Sequence, residues 1–219
     1  MVYYMQQQHC KLAKRLMLFF GGLFIAGMGV ALNTRPGLGP APITSLPYVM
    51  TFAVPLSLGT VTAIVNVIFL LAQIVILRKR FRWFMLMQLP TLMFFGCFID
   101  IGMYITGFFI PENYFLRLSE EIIGCAVLAY GIIFLLAADI SLMPGDGLIK
   151  VIAQEYNFAY GTVKMYFDSS IVISAIIFSL CYFGNVTGVR EGTLAAAVLV
   201  GFIIKKQQNV VQILKKTYQ

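Results

Sequence analysis

The residues able to do chemistry in this sequence are few, and most of them stand inside apolar runs. Asp100 and Asp168 are carboxylates embedded in hydrophobic sequence, and Asn66 is an amide in another such run. Ionisable groups at membrane depth are costly and are usually kept for ion or substrate handling. Asp168 is therefore the first candidate for an ion or proton step, with Asp100 the second. Asp100 could equally stand hydrated near the outer end of its run. Asp168 has Ser169, Ser170 and Ser174 nearby, and Asn66 has Thr62 and Gln73. Such sets can coordinate a ligand or simply bond one helix to the next. Two further stretches combine Pro and Gly: Arg35-Pro36-Gly37-Leu38-Gly39-Pro40-Ala41-Pro42 and Met143-Pro144-Gly145-Asp146-Gly147-Leu148. Arg35 could grip a carboxylate or phosphate bidentately, or reach out to lipid headgroups. Asp146 suits a helix cap. The candidate substrate set is thus Arg35, Gly37, Gly39, Asn66, Gly145, Asp146, Gly147 and Asp168. Catalysis has little raw material. The one histidine, His9, lies near the N-terminus, and there is no Ser/His/Asp set, nucleotide loop or HExxH. An enzyme is not expected, nor a cofactor or metal, and the four scattered cysteines lack CxxC spacing.

Composition says what must position these groups. Of 219 residues, 60% are hydrophobic and 11% charged, and the mean hydropathy is +0.87. Too little polar surface remains to cover a water-exposed globule. The net charge of +7 fits the basic excess on the cytoplasmic side of membrane proteins better than nucleic-acid binding. A span needs about 20 apolar residues. Such runs cover Leu16 to Leu32, Leu58 to Leu77, Trp83 to about Ile110 (interrupted by Pro90), Leu116 to Leu142 and Gly161 to Phe183. A shorter sixth run, Gly192 to Ile204, ends at Lys205-Lys206. Putting the N-terminus inside leaves only Arg35, Arg117 and Arg190 among the basic residues outside, together with Glu112, Glu120 and Glu121. The expectation is an all-α, polytopic helix bundle of about six spans with both termini cytoplasmic; five spans rank second. Lys150 and Lys164 read as headgroup contacts, and Arg190-Glu191 as the mouth of the last span. Gly22-xxx-Ala26 and Ala197-xxx-Gly201 permit close helix contact within or between chains, so a homodimer is one expected assembly.

The order of signals also repeats. Gly59-Thr60-Val61 recurs as Gly161-Thr162-Val163, a displacement of 102 at which Asn66 meets Asp168 and Thr91-Leu92 meets Thr193-Leu194. The Pro-Gly pairs lie 108 apart, which implies about six extra residues in the first broken segment. One membrane domain, 1–219, is expected, with repeats at about 14–110 and 116–206 and short tails at 1–13 and 207–219. Three spans per half would invert the second half, and broken segments in inverted repeats mark many secondary transporters. Open backbone at membrane depth is tolerated only inside protein or beside a wet cavity. The free N–H groups of short half-helices suit an anion.

A first span ending Leu-Asn-Thr-Arg-Pro-Gly-Leu-Gly-Pro-Ala-Pro, then Gly-Thr-Val, then Leu-Met-Pro-Gly-Asp-Gly resembles the bacterial YczE/YyaS/YitT-type integral membrane proteins. The resemblance implies a polytopic protein of the bacterial plasma membrane and names no substrate. Together these readings favour a small secondary transporter of an anionic or zwitterionic metabolite. Its partners would be the lipid bilayer and a small-molecule substrate, with no nucleic acid. The alternatives are a substrate-binding subunit of a multi-component transporter and a non-transporting scaffold or regulator.

Overall fold

The structure is a computed structural model that describes residues 2–108, 113–158, 160–207 and 212–214. Among the described residues it is all-helical. The helices are α1 (Val2–Thr34), α2 (Pro42–Thr51), α3 (Leu58–Leu77), α4 (Gln88–Ile105), α5 (Tyr114–Ala138), α6 (Pro144–Glu155), α7 (Tyr160–Phe183) and α8 (Glu191–Lys206). Five helical stretches are long and apolar enough to cross a membrane: Leu12–Thr34, Leu58–Arg80, Trp83–Phe108, Tyr114–Ala138 and Thr162–Phe183. α8 is apolar but has only 16 residues, about 24 Å at about 1.5 Å per residue.

Small residues decide how the long helices meet. α1 and α5 run antiparallel in close contact. A Cβ on Gly29 would run into the Leu128 backbone, and one on Gly131 into Ala26. Nearer the start of α1, Arg15 donates from Nε to the Ala138 carbonyl (3.0 Å) and from Nη2 to that of Asp139 (2.8 Å). It thereby covers the carbonyls at the end of α5, which have no partner within the helix. α4 lies parallel to α1, with Gly27 against Phe98 and Gly102 against Ala31. α3 returns antiparallel to α4, Gly59 against Gly96 near one end and Gln73 against Gln88 near the other. The main core, Leu23, Ala26, Val30, Ile99, Cys125 and Leu128 among others, fills the space between α1, α4 and α5. α6 packs on α3 and α7, α2 packs on α7 and α3, and α8 packs on α5.

Several expectations change in detail. The tail expected at 1–13 continues α1 as helix from Val2, while 208–211 and 215–219 of the other tail lie outside the described residues. Pro90 does not interrupt a span, because it falls in the first turn of α4, where its missing N–H costs no hydrogen bond. The third span ends at Phe108, and Ile110 and Glu112 lie outside the described residues. Glu120 and Glu121, expected among the outer groups, are buried in α5 at 6% and 0% exposure. The two Pro-Gly pairs are not equivalent. Pro36-Gly37 is a turn after α1, with Gly37 at φ 70°, a conformation glycine adopts freely. Pro144 opens α6, as Pro42 opens α2. The starts Pro42 and Pro144 lie 102 residues apart, as do Leu58 of α3 and Tyr160 of α7.

Candidate functional site

α6 begins deep in the bundle because α3 supplies polar partners there. Asn66 receives the Gly145 N–H at Oδ1 (3.3 Å) and donates from Nδ2 to the Thr62 carbonyl (2.9 Å). Two turns further along α3, Gln73 donates to the Pro144 carbonyl (2.9 Å) and pairs with Gln88 of α4 (3.1 Å). Asn66, Gln73 and Gln88 are all buried, so a helix start that would otherwise leave bare amides in an apolar interior is largely served. The far end of α6 lies at the basic end of α3, where Glu155 meets Arg80 at 3.0 Å. Eleven residues of α3, about 17 Å, separate Asn66 from the end of that helix at Leu77, just before Arg80, and the twelve residues of α6 span about 18 Å. α6 thus runs from the middle of the bundle back to one end. Gly147 permits this approach, since a Cβ there would crowd Gln73 and Gln88.

Beside this start lies a cluster of alternating charge. Lys164 of α7 stands 3.4 Å from Asp146 and 3.1 Å from Asp168, all three side chains half-buried. Asp146 is in the first turn of α6, where a carboxylate is favoured by the free amides. Lys164 was expected at headgroups and instead ties α6 to the Asp168 turn of α7. Two carboxylates thus share the Lys164 ammonium.

α2 is held in the same manner by α1. Asn33 accepts the Ala41 N–H at Oδ1 (2.5 Å) and donates from Nδ2 to Glu121 Oε1 (2.6 Å) and to Cys125 Sγ (3.2 Å). Leu38 accepts the Gly192 N–H (2.7 Å), and Gly37 accepts from Arg190 Nη1 (3.4 Å), so the first break is also pinned to the start of α8. A Cβ on Gly39 (φ 103°) would run into Thr193 Oγ1 and the Arg190 amide. The far end of α2 reaches the loop before α8, with Gly188 against Tyr48, Val49 and Phe52. The first turns of α2 and α6 meet: the Ile43 side chain fills the space beside Gly145, next to Phe69.

The nine expected site residues therefore fall into three groups. Asn66, Gly145, Asp146, Gly147 and Asp168 converge at the start of α6. Gly37 and Gly39 form the turn against α8, and Arg35 turns away from it to donate to the Met103 carbonyl of α4 (3.1 Å). Asp100 stands apart, accepting the Gly59 N–H (2.8 Å) and the Ser57 hydroxyl (2.6 Å). It caps α3 from the neighbouring helix. Among the described residues, Ser170 and Ser174 bond to carbonyls of their own helix. Asn33, Glu121, Gln73, Gln88 and Lys164 are further polar groups of the interior. Of these, Asn33 has a legible signal, a polar residue at the junction of an apolar run and a Pro-Gly break. Neither the curated proteins nor the solved structures yield a match to this chain. A family match does cover nearly all of it: residues 13–209 match the family of unknown function DUF6198, and the chain belongs to that family.

Proposed function

We propose that the protein is a small secondary transporter of the bacterial plasma membrane, carrying a small anionic or zwitterionic metabolite between its two broken segments. The observation that carries this reading is the meeting of two proline-started half-helices inside the bundle, Ile43 against Gly145, with the Lys164 cluster alongside. Inverted repeats with such elements put substrate and coupling ion at the repeat interface. The 102-residue displacement of both helix starts supports a duplication, and so does the crossed packing of α2 on α7 and α6 on α3. α2 and α6 leading to opposite ends of the bundle supports an inverted second half with two re-entrant segments. The resemblance to the YczE/YyaS/YitT-type proteins supports the plasma-membrane location alone.

The test is a thermal-shift panel of small carboxylates, phosphates and amino acids on the purified protein, followed by uptake of any hit into proteoliposomes. Binding at a hundredfold excess over Kd stabilises the folded state by about 2.7 kcal/mol. A saturable shift from one chemical class is expected, and Gly145→Leu, which drives the two first turns apart, should abolish it. A panel with no saturable shift and no uptake would overturn the proposal.

In the inverted arrangement α8 is the sixth span and both termini are cytoplasmic. Its 16 residues are short for about 30 Å of hydrocarbon, and the deficit is met by local thinning or by Lys206 reaching out to headgroups. Reporter fusions at Gln219 should be active only in the cytoplasm. Periplasmic activity there would leave five spans and remove the inverted repeat.

A further inference from the structure

The connection between α3 and α4 joins two opposed kinds of side chain in one short stretch. α3 stops at Arg78, which turns the chain aside at φ 45° while its N–H still reaches the Ile74 carbonyl. Two short 3-10 turns follow, Arg78–Arg80 and Trp83–Met87, before α4 begins at Gln88. Arg78, Lys79, Arg80 and Arg82 put four cations within five residues. Among the described residues one ion pair reaches them, that of Arg80 with Glu155 of α6. Arg78, Lys79 and Arg82 are exposed and join none of these pairs. The second turn is apolar and equally open: Trp83 is 82% exposed, Phe84 65% and Met87 46%.

A soluble polyanion would answer the three cations and leave Trp83 and Phe84 in water. A lipid answers both halves. Indole rings settle at headgroup level, phenyl and thioether groups suit the acyl boundary, and guanidinium groups donate to phosphate oxygens. We infer that the connection from Arg78 to Met87 is a docking site for an anionic phospholipid. Its headgroup phosphate is held by Arg78, Lys79 and Arg82, and its acyl chains lie beside Phe84 and Met87. Glu155 keeps Arg80 on α6, so the lipid sits against the far end of that short helix. The site requires that α3 and α4 span a bilayer, and it does not depend on transport.

Trp83 is the only tryptophan of the chain, so its fluorescence reports on this place alone. The test reconstitutes the full chain in phosphatidylcholine vesicles, with a rising share of the lipid replaced by phosphatidylglycerol or phosphatidylcholine carrying brominated acyl chains. Brominated phosphatidylglycerol should quench Trp83 at the lower mole fraction, with a relative affinity at least about fivefold higher, the attraction of one basic residue at a membrane surface. The preference should shrink to within about twofold at about 1 M salt, where the screening length is about 3 Å. Arg78→Gln, Lys79→Gln and Arg82→Gln together should erase it. Lys14→Gln with Lys206→Gln, which neutralises two exposed lysines elsewhere, should leave it in place. The salt series uses the parent chain and decides the matter if the triple variant fails to insert. Equal quenching by the two lipids, a preference that survives high salt or the triple substitution, or one lost equally without Lys14 and Lys206 would overturn the site. So would loss of the preference to millimolar glycerol phosphate in solution, which would make the occupant a free phosphate ester.

Discussion

Asp168→Asn should abolish accumulation of substrate driven by a pH gradient while leaving binding within about threefold of the parent. The amide keeps the shape of the carboxylate, so the packing of α7 survives, and Lys164 retains Asp146 as its partner 3.4 Å away. What disappears is the second carboxylate of the cluster, the one proposed to carry the proton. A carrier coupled through that group cannot exchange a proton for substrate without it, and the coupled rate should fall by at least about a hundredfold, of the order seen when acid–base groups are removed. Uncoupled counterflow of substrate should persist. Asp168→Glu should recover part of the coupled rate by keeping the charge. Undiminished, still pH-dependent accumulation by Asp168→Asn would remove the cluster from the mechanism. Asp100 is the weaker place to look, because its two oxygens are engaged in capping α3.

The two proline-started breaks and their neighbours on α3 and α7 were legible in the residues, because Pro and Gly act locally and announce themselves without any knowledge of packing. The equivalence of the breaks was misread for the same reason. The Pro-Gly pair at 36–37 is a turn that glycine makes easy, whereas the proline that opens the first short helix is Pro42. Other features needed three dimensions. In a soluble helix the apolar face marks the core, but here the lipid-facing and core-facing sides are both apolar. Helix α7 illustrates this: its spanning stretch is only 17% buried, yet apolar residues stand on its exposed and its buried sides alike. Nothing in the spacing therefore shows that Lys164 turns inward to Asp146, or that Glu120 and Glu121 enter the bundle while Arg117 of the same helix stays nearer its end. Asn33 stood in the sequence as one polar residue before a break, and only the fold reveals that it serves two helices at once.

That double service makes Asn33 the side chain whose loss should cost most stability. Its Oδ1 receives the Ala41 N–H at the entry to α2, and its Nδ2 reaches Glu121 and Cys125 on α5. Asn33 and Glu121 are both fully buried. In Asn33→Ala the amide of Ala41 is left in an apolar interior without a partner, at about 1–3 kcal/mol. The Glu121 carboxyl loses its hydrogen bond from the Asn33 amide, and a buried acceptor left without its donor costs about 1–3 kcal/mol more. Unfolding followed by denaturant or heat in a fixed detergent should show Asn33→Ala destabilised by at least about 2 kcal/mol, with Asn33→Asp no better because it sets a second carboxylate against the first. The two penalties separate in a double-mutant cycle. Glu121→Met removes the buried acid at similar length, so Asn33→Ala combined with Glu121→Met should be more stable than the sum of the single changes implies, by about 1–3 kcal/mol. The remaining deficit then belongs to the Ala41 amide, and the substrate-induced thermal shift should stay weak in the double variant because the start of α2 is still unpinned. Additive effects within about 0.5 kcal/mol would mean that water or a shifted side chain serves Glu121, and that Asn33 anchors α2 alone.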